Sequence, residues 1–158
     1  MTTTNHKNTH KVSIFDRVQT LLDEGRPSDA LKLIDHPGQT SASMKNAQAV
    51  CLLRLGKVQE AISLLRDITF QGFVCIPSDT PVVYQANFIT AMLMANHKDS
   101  IFDIIDRLDD RQHPAVAKIK ATIEKWEKSL NTFQKLLYKM GIYPKKAILI
   151  DFPPGELE

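Results

Sequence analysis

The sequence is poor in the residues that mark several common classes of protein. It has two cysteines, Cys51 and Cys75, in no paired motif, which excludes a disulfide scaffold and favours two reduced thiols. The first eleven residues, MTTTNHKNTHK, lack the apolar core of a secretory signal. No apolar run approaches the roughly 18 residues that cross a bilayer. These absences predict a soluble, cytoplasmic protein with no membrane contact.

Signatures of enzyme chemistry are also missing. The sequence contains no GxSxG, HExxH or P-loop motif. His6 and His10 have a spacing that suits a metal on a helix, but they lie in a polar stretch with no reason to be helical. We therefore expect no catalytic residue, no metal site and no cofactor, and hence a protein that is not an enzyme.

What the sequence does contain is a single, well-patterned helical region. The chain has 158 residues, of which 43% are hydrophobic, and this length fits one domain. Composition predicts a disordered tail over residues 1–11, a helical domain over 12–140 and a C-terminal tail over 141–158. Apolar residues recur at helical spacing through three helix pairs, at about 12–36, 42–70 and 81–110.

The three pairs share the same residue spacing at the turn, or corner, between their two helices. In each pair, a residue suited to the left-handed conformation lies five positions before a residue near the start of the second helix. These couples are Gly25 with Ala30, Gly56 with Ala61, and Asn96 with Ile101. A recurrence near 34 residues, built from helix–turn–helix units, indicates a solenoid.

These residues resemble the tetratricopeptide repeat family over about residues 12–110. The best unit is NAQAVCLLRLGKVQEAISLLRDI, and VQTLLDEGRPSDALKLI is the next. The resemblance implies an all-α, right-handed superhelical stack of about three pairs, with the first helix of each pair lining a concave groove. The implied partner-binding residues, a mostly apolar set, are Phe15, Gln19, Leu22, Asn46, Val50, Leu53, Ala86, Thr90, Leu93 and Met94.

A long seventh helix is predicted over residues 114–140. Its apolar positions alternate three and four apart from Val116 to Met140, which gives one narrow stripe. Such a stripe could cap the open end of the stack or form a coiled-coil homodimer. The flanking positions show no organised charge pairing, which favours the cap.

The leading hypothesis is a protein–protein interaction module, an adaptor or chaperone, that binds a peptide or helix segment of another protein. Size, spacing and the CLLRLGK turn also resemble the small helical-repeat chaperones of bacterial type III secretion. One alternative is a binder of nucleic acid or an acidic surface through the lysines of residues 114–146, although no aromatic stacking pattern accompanies them. Another is a self-assembling structural protein, with the last helix or the AILIDF run as the contact.

Overall fold

The protein is described by a computed structural model, which covers residues 13–35, 41–105, 108 and 113–157. Within these ranges the chain forms eight α-helices and no β-strand, so the predicted all-helical class is confirmed. The predicted disordered tail at 1–11 lies outside the described residues, as do the ends of the first and third pairs. The helices are α1 (Ile14–Asp23), α2 (Pro27–Ile34), α3 (Ala42–Arg54), α4 (Val58–Phe70), α5 (Val82–Met94), α6 (Lys98–Ile105), α7 (Pro114–Lys128) and α8 (Thr132–Lys139).

The three corners have the geometry that the sequence predicts. The φ angles are +70° at Gly25, +74° at Gly56 and +60° at Asn96, all in the left-handed region. At each corner this residue donates its N–H to the carbonyl three residues earlier, and the next N–H donates five residues back. This pair of bonds is the Schellman motif, which satisfies the last carbonyls of a helix while the chain reverses. Ala61 and Ile101, five residues after their corners, are fully buried.

From α1 to α6 each helix packs against the next, and the odd-numbered helices also contact one another in the order α1, α3, α5 and α7. The second helices of the pairs therefore lie on the other side of this row. Two apolar clusters fill the interior, a small one among α1, α2 and α3 and a larger one from α3 to α7. Leu53, Leu65 and Ile89 are among the largest side chains that are almost completely buried.

The prediction of a single helix over 114–140 is wrong, because the helix is interrupted between Lys128 and Thr132. The Asn131 side chain accepts from the Gln134 N–H at 2.8 Å, and Gln134 Oε1 accepts from the Asn131 N–H at 3.0 Å. This reciprocal capping box starts a new helix, since such local side-chain bonds compete with helix continuation. The apolar stripe divides at the break. Its residues up to Leu130 are buried, whereas Phe133 and Met140 are each 67% exposed.

The C-terminal tail, residues 141–157, forms no helix or strand and packs back onto the helices. Its β-prone run buries Ile148, which is 4% exposed. Lys98 Nζ donates to the Pro144 carbonyl at 2.6 Å, and Trp126 Nε1 donates to the Lys146 carbonyl at 2.9 Å. Among the described residues, no helix combines the length and the apolar character needed to cross a bilayer.

Candidate partner-binding groove

The surface formed by α1, α3, α5 and α7 is covered by the chain's own residues 153–157, which we call the PPGEL segment. Its glycine is buried, and its Glu156 and Leu157 are half-buried. We use "the groove" for the side chains that contact this segment. The surface predicted to receive a partner is thus occupied by the chain itself.

Two asparagines hold the main chain of the PPGEL segment. Asn87, on α5, accepts from the Glu156 N–H through Oδ1 at 2.9 Å and donates to the Glu156 carbonyl through Nδ2 at 2.7 Å. Asn46, on α3, donates through Nδ2 to the carbonyls of Glu156 and Leu157, each at 3.1 Å. One asparagine therefore satisfies both polar groups of a peptide residue, as a neighbouring β-strand would.

The asparagines also bond to each other, which fixes their orientation. Asn87 Nδ2 donates to Asn46 Oδ1 at 2.8 Å. With the PPGEL segment in place, Asn46 is 0% exposed and Asn87 is 2% exposed. No buried side-chain nitrogen or oxygen lacks a partner in the described part of the chain. The segment is thus the polar complement of the two amides, which would otherwise need water or another ligand.

Arg54, at the last residue of α3, extends the main-chain contacts. Its Nη1 donates to the Leu22 carbonyl at 3.0 Å, which ties the side chain to the end of α1. Its other nitrogens approach the carbonyls of Pro154 and Gly155, each at 3.4 Å. These last two bonds are long and hence weak.

Gly155 lies directly over Val50 of α3. Its φ of +82° is in the left-handed region, and a Cβ added there would lie 2.9 Å from Val50 Cγ2. Both the backbone conformation and the close approach therefore require glycine at this point.

The remaining contacts depend on side chains of the PPGEL segment. The Glu156 carboxylate forms an ion pair with Lys118 of α7. Leu157 packs against the small apolar cluster that contains Val18 and Leu22. Beside these residues is a cavity of about 410 Å³, also lined by Phe15 and Gln19.

Some of the predicted groove residues lie at the PPGEL segment, and others are buried in the core between the helices. Asn46 and Val50 contact the segment, Phe15 and Gln19 line the cavity beside it, and Leu22 belongs to the cluster beneath Leu157. The others are core or near-core residues: Leu53, Ala86, Thr90 and Leu93 are buried, and Met94 is half-buried against the core. The contacts between the groove and the PPGEL segment are therefore more polar than the mostly apolar set of residues predicted from the sequence.

Sequence reasoning missed three groups that hold the segment, namely Asn87, Arg54 and Lys118. For Asn87 a signal was present, because it is one of few polar residues in a helix that is apolar on nearly every side. The predicted register selected its neighbour Ala86 instead. Arg54 and Lys118 carry no such signal, since their roles depend on where the C-terminal tail lies.

Several of the lysines that favour the nucleic-acid alternative form contacts between the tail and the region of α7 and Ser129, the residue after it. Lys118 pairs with Glu156, and Lys125 Nζ lies 2.7 Å from Asp151 Oδ2. The latter contact holds the pKa of the Asp151 carboxyl below its usual value, mainly through the hydrogen bond. Lys146 Nζ donates to the Ser129 carbonyl at 2.7 Å.

Two further surfaces carry apolar side chains. Phe133 and Leu136 of α8 are exposed, as is Met140 directly after it. A cavity of about 450 Å³ lies between α4, α5 and α6, beside the exposed Phe73 of the loop after α4. Within the described ranges, no cluster of three or more His, Cys, Asp or Glu residues could hold a metal ion.

Comparisons of the chain with protein-family models, with curated proteins and with solved structures found no match. The groove is therefore interpreted from its own geometry.

Proposed function

We propose that the chain is a protein–protein interaction module, an adaptor or chaperone of tetratricopeptide-like architecture, rather than an enzyme. The groove binds an extended polypeptide segment of a partner. Three helix pairs with the same left-handed corner support a repeat stack, and the row of first helices supplies one continuous surface.

The observation that carries this proposal is the pairing of Asn87 with both polar groups of Glu156. Main-chain recognition of this kind suits extended peptides, because their N–H and C=O groups are free of internal bonds. It supplies affinity with little dependence on sequence, so neighbouring contacts must supply the selectivity. An ordinary helix has its main-chain groups occupied and could not bind in this way.

The test presents a library of random, unstructured peptides on phage to the full chain carrying Gly155→Val. This substitution disfavours the bound form of the PPGEL segment but leaves the asparagine pair intact. We expect enrichment of peptides that bind the variant and that lose binding when Asn87→Asp is added. If no peptide is enriched, or if the enriched peptides bind equally with Asn87→Asp, the groove is not a peptide-binding site.

A further inference from the structure

We propose that the preferred foreign ligand is an extended protein segment with a glycine–acidic–leucine pattern, and that the chain's own PPGEL segment is a built-in competitor for the same groove. This inference rests on the proposed function and deepens it. The internal occupant shows what the groove selects at three successive positions.

The first position selects for glycine. A bound residue here adopts φ of +82° within contact distance of Val50, where a Cβ would lie 2.9 Å from a methyl carbon. By contrast, a Cβ added at either of the two corner glycines, Gly25 or Gly56, would have no atom within 4 Å. The selection at Gly155 therefore comes from the groove as well as from the backbone.

The second position selects for a carboxylate. Lys118 pairs with Glu156, while the two asparagines hold the main chain of that same residue. The surrounding charges agree with this choice. Residues 114–128 carry four lysines against two glutamates, whereas residues 149–158 carry three carboxylates and no lysine or arginine. An acidic segment is attracted to this side of the groove.

The third position selects for an aliphatic side chain. Leu157 packs on the cluster of Val18 and Leu22, and its carbonyl is held by Asn46. The cavity lined by Phe15 and Gln19 lies beside it, so a ligand with further residues has room to extend.

The PPGEL segment can leave without the rest of the tail. The tail is anchored upstream by buried Ile148 and by the bond between Trp126 and the Lys146 carbonyl. Half-buried Ile150 and Phe152 also pack against the larger cluster, so the last apolar anchor before Gly155 is Phe152. Between Phe152 and Gly155 lie only exposed Pro153 and half-buried Pro154. A segment held on so short a tether has an effective concentration of roughly millimolar, so it weakens the apparent affinity of a foreign ligand until it is displaced.

The test measures fluorescence anisotropy of a labelled peptide with the sequence of residues 149–158, LIDFPPGELE, with both ends blocked. The receptors are the full chain and its Gly155→Val variant. We expect the variant to bind at least about tenfold more tightly, because the internal competitor is weakened. Adding Asn87→Asp to the variant should abolish binding. Probe peptides carrying Gly155→Val or Glu156→Lys should bind at least about tenfold more weakly than the parent probe.

A second variant that should release the PPGEL segment is Leu157→Asp, which removes the apolar anchor and changes no residue of the groove. The same comparison is made with this variant if Gly155→Val fails to fold. If both variants unfold, residues 153–157 are a fixed part of the fold and the competitor role is refuted. Equal binding by wild type and variants refutes it as well. If the phage library yields Asn87-dependent binders but LIDFPPGELE does not bind, the proposed function stands and this inference fails. If neither binds, both fail.

Discussion

Asn87→Asp tests the contact on which the groove depends, and it does so without changing the shape of the side chain. The aspartate oxygen can still accept from the Glu156 N–H. In its ionised form it cannot donate to the Glu156 carbonyl or to Asn46 Oδ1, which lie 2.7 Å and 2.8 Å from Asn87 Nδ2 in the wild type. Two attractive contacts therefore become contacts between oxygen atoms.

The size of the effect follows from burial. Asn87 is 2% exposed, and each buried group left without a partner costs about 1–3 kcal/mol. Asn46 Oδ1 loses its donor, while the Glu156 carbonyl keeps only Asn46. Adding the desolvation of a carboxylate, we expect a loss of at least about 3 kcal/mol from the bound state of the PPGEL segment. A loss of this size shifts the docking equilibrium roughly a hundredfold.

Amide hydrogen exchange at Glu156 is the direct assay, because this N–H donates to Asn87 in the bound state. Exchange there should be at least about a hundredfold faster in Asn87→Asp, while amides in the middle of α3 and α5 keep their protection. Retained protection in α3 and α5 shows that residues 153–157 detach locally while the helices stay folded.

Thr90→Val is the matched control on the same helix. Thr90 is also buried, but its hydroxyl donates to the Ala86 carbonyl within α5, at 2.9 Å, and contacts no part of the tail through a hydrogen bond. This nearly isosteric change should leave Glu156 exchange unchanged. If Asn87→Asp leaves Glu156 exchange at the wild-type rate, or if Thr90→Val accelerates it equally, the reasoning about the asparagine pair is wrong.

Three other predictions concern single residues. Asn96→Gly should raise the free energy of unfolding by about 0.5–1 kcal/mol in urea denaturation, because the left-handed φ of +60° favours glycine even over asparagine. An unchanged midpoint would contradict this. At pH 8 an aromatic disulfide reagent should modify exposed Cys75 and spare buried Cys51, whose pKa burial raises to about 11; Cys75→Ser should then abolish the rapid phase, and a second rapid thiol would refute the burial. The pKa of Asp151, which Lys125 lowers, should return towards 3.8 in Lys125→Met when it is measured by NMR titration. The pair's small contribution to the free energy of unfolding is present above pH 3.8 and is lost as the pH falls through the lowered pKa.

Several helix boundaries and all three corners were predictable because their causes are local. Ser13 and Asp16 form the capping box that their spacing indicates, and Pro27 starts α2. Gly56 and Asn96 turn the chain through bonds that span only five residues. The break at Asn131 also has a local cause. The apolar stripe continues across this break, so its periodicity masks the capping box of Asn131 and Gln134 in the sequence.

The register of the groove was only partly predictable. Counting back from each corner residue selects Asn46 correctly as a residue that contacts the segment, but it selects Ala86 in place of Asn87. One position is a rotation of about 100° around a helix, so a shift of one residue exchanges the groove for the core. The insert between α4 and α5 is not the cause, because every residue counted back from Asn96 lies in α5 or its corner. Helices α3 and α5 have the same length and the same distance to their corners, yet they present different positions to the same segment.

The sequence by itself determined the helices, their reversals and the absence of familiar catalytic motifs, since each depends on residues close together in the chain. Only the tertiary structure decided what covers the first helices. The contacts of Glu156 with Asn87, Asn46 and Lys118 join residues 38 to 110 positions apart. The periodicity of apolar residues along a helix carries no information about contacts between residues so far apart in the sequence. The fit of Gly155 over Val50 and the pairing of two buried amides with one peptide residue arise only when the tail has folded back onto the stack.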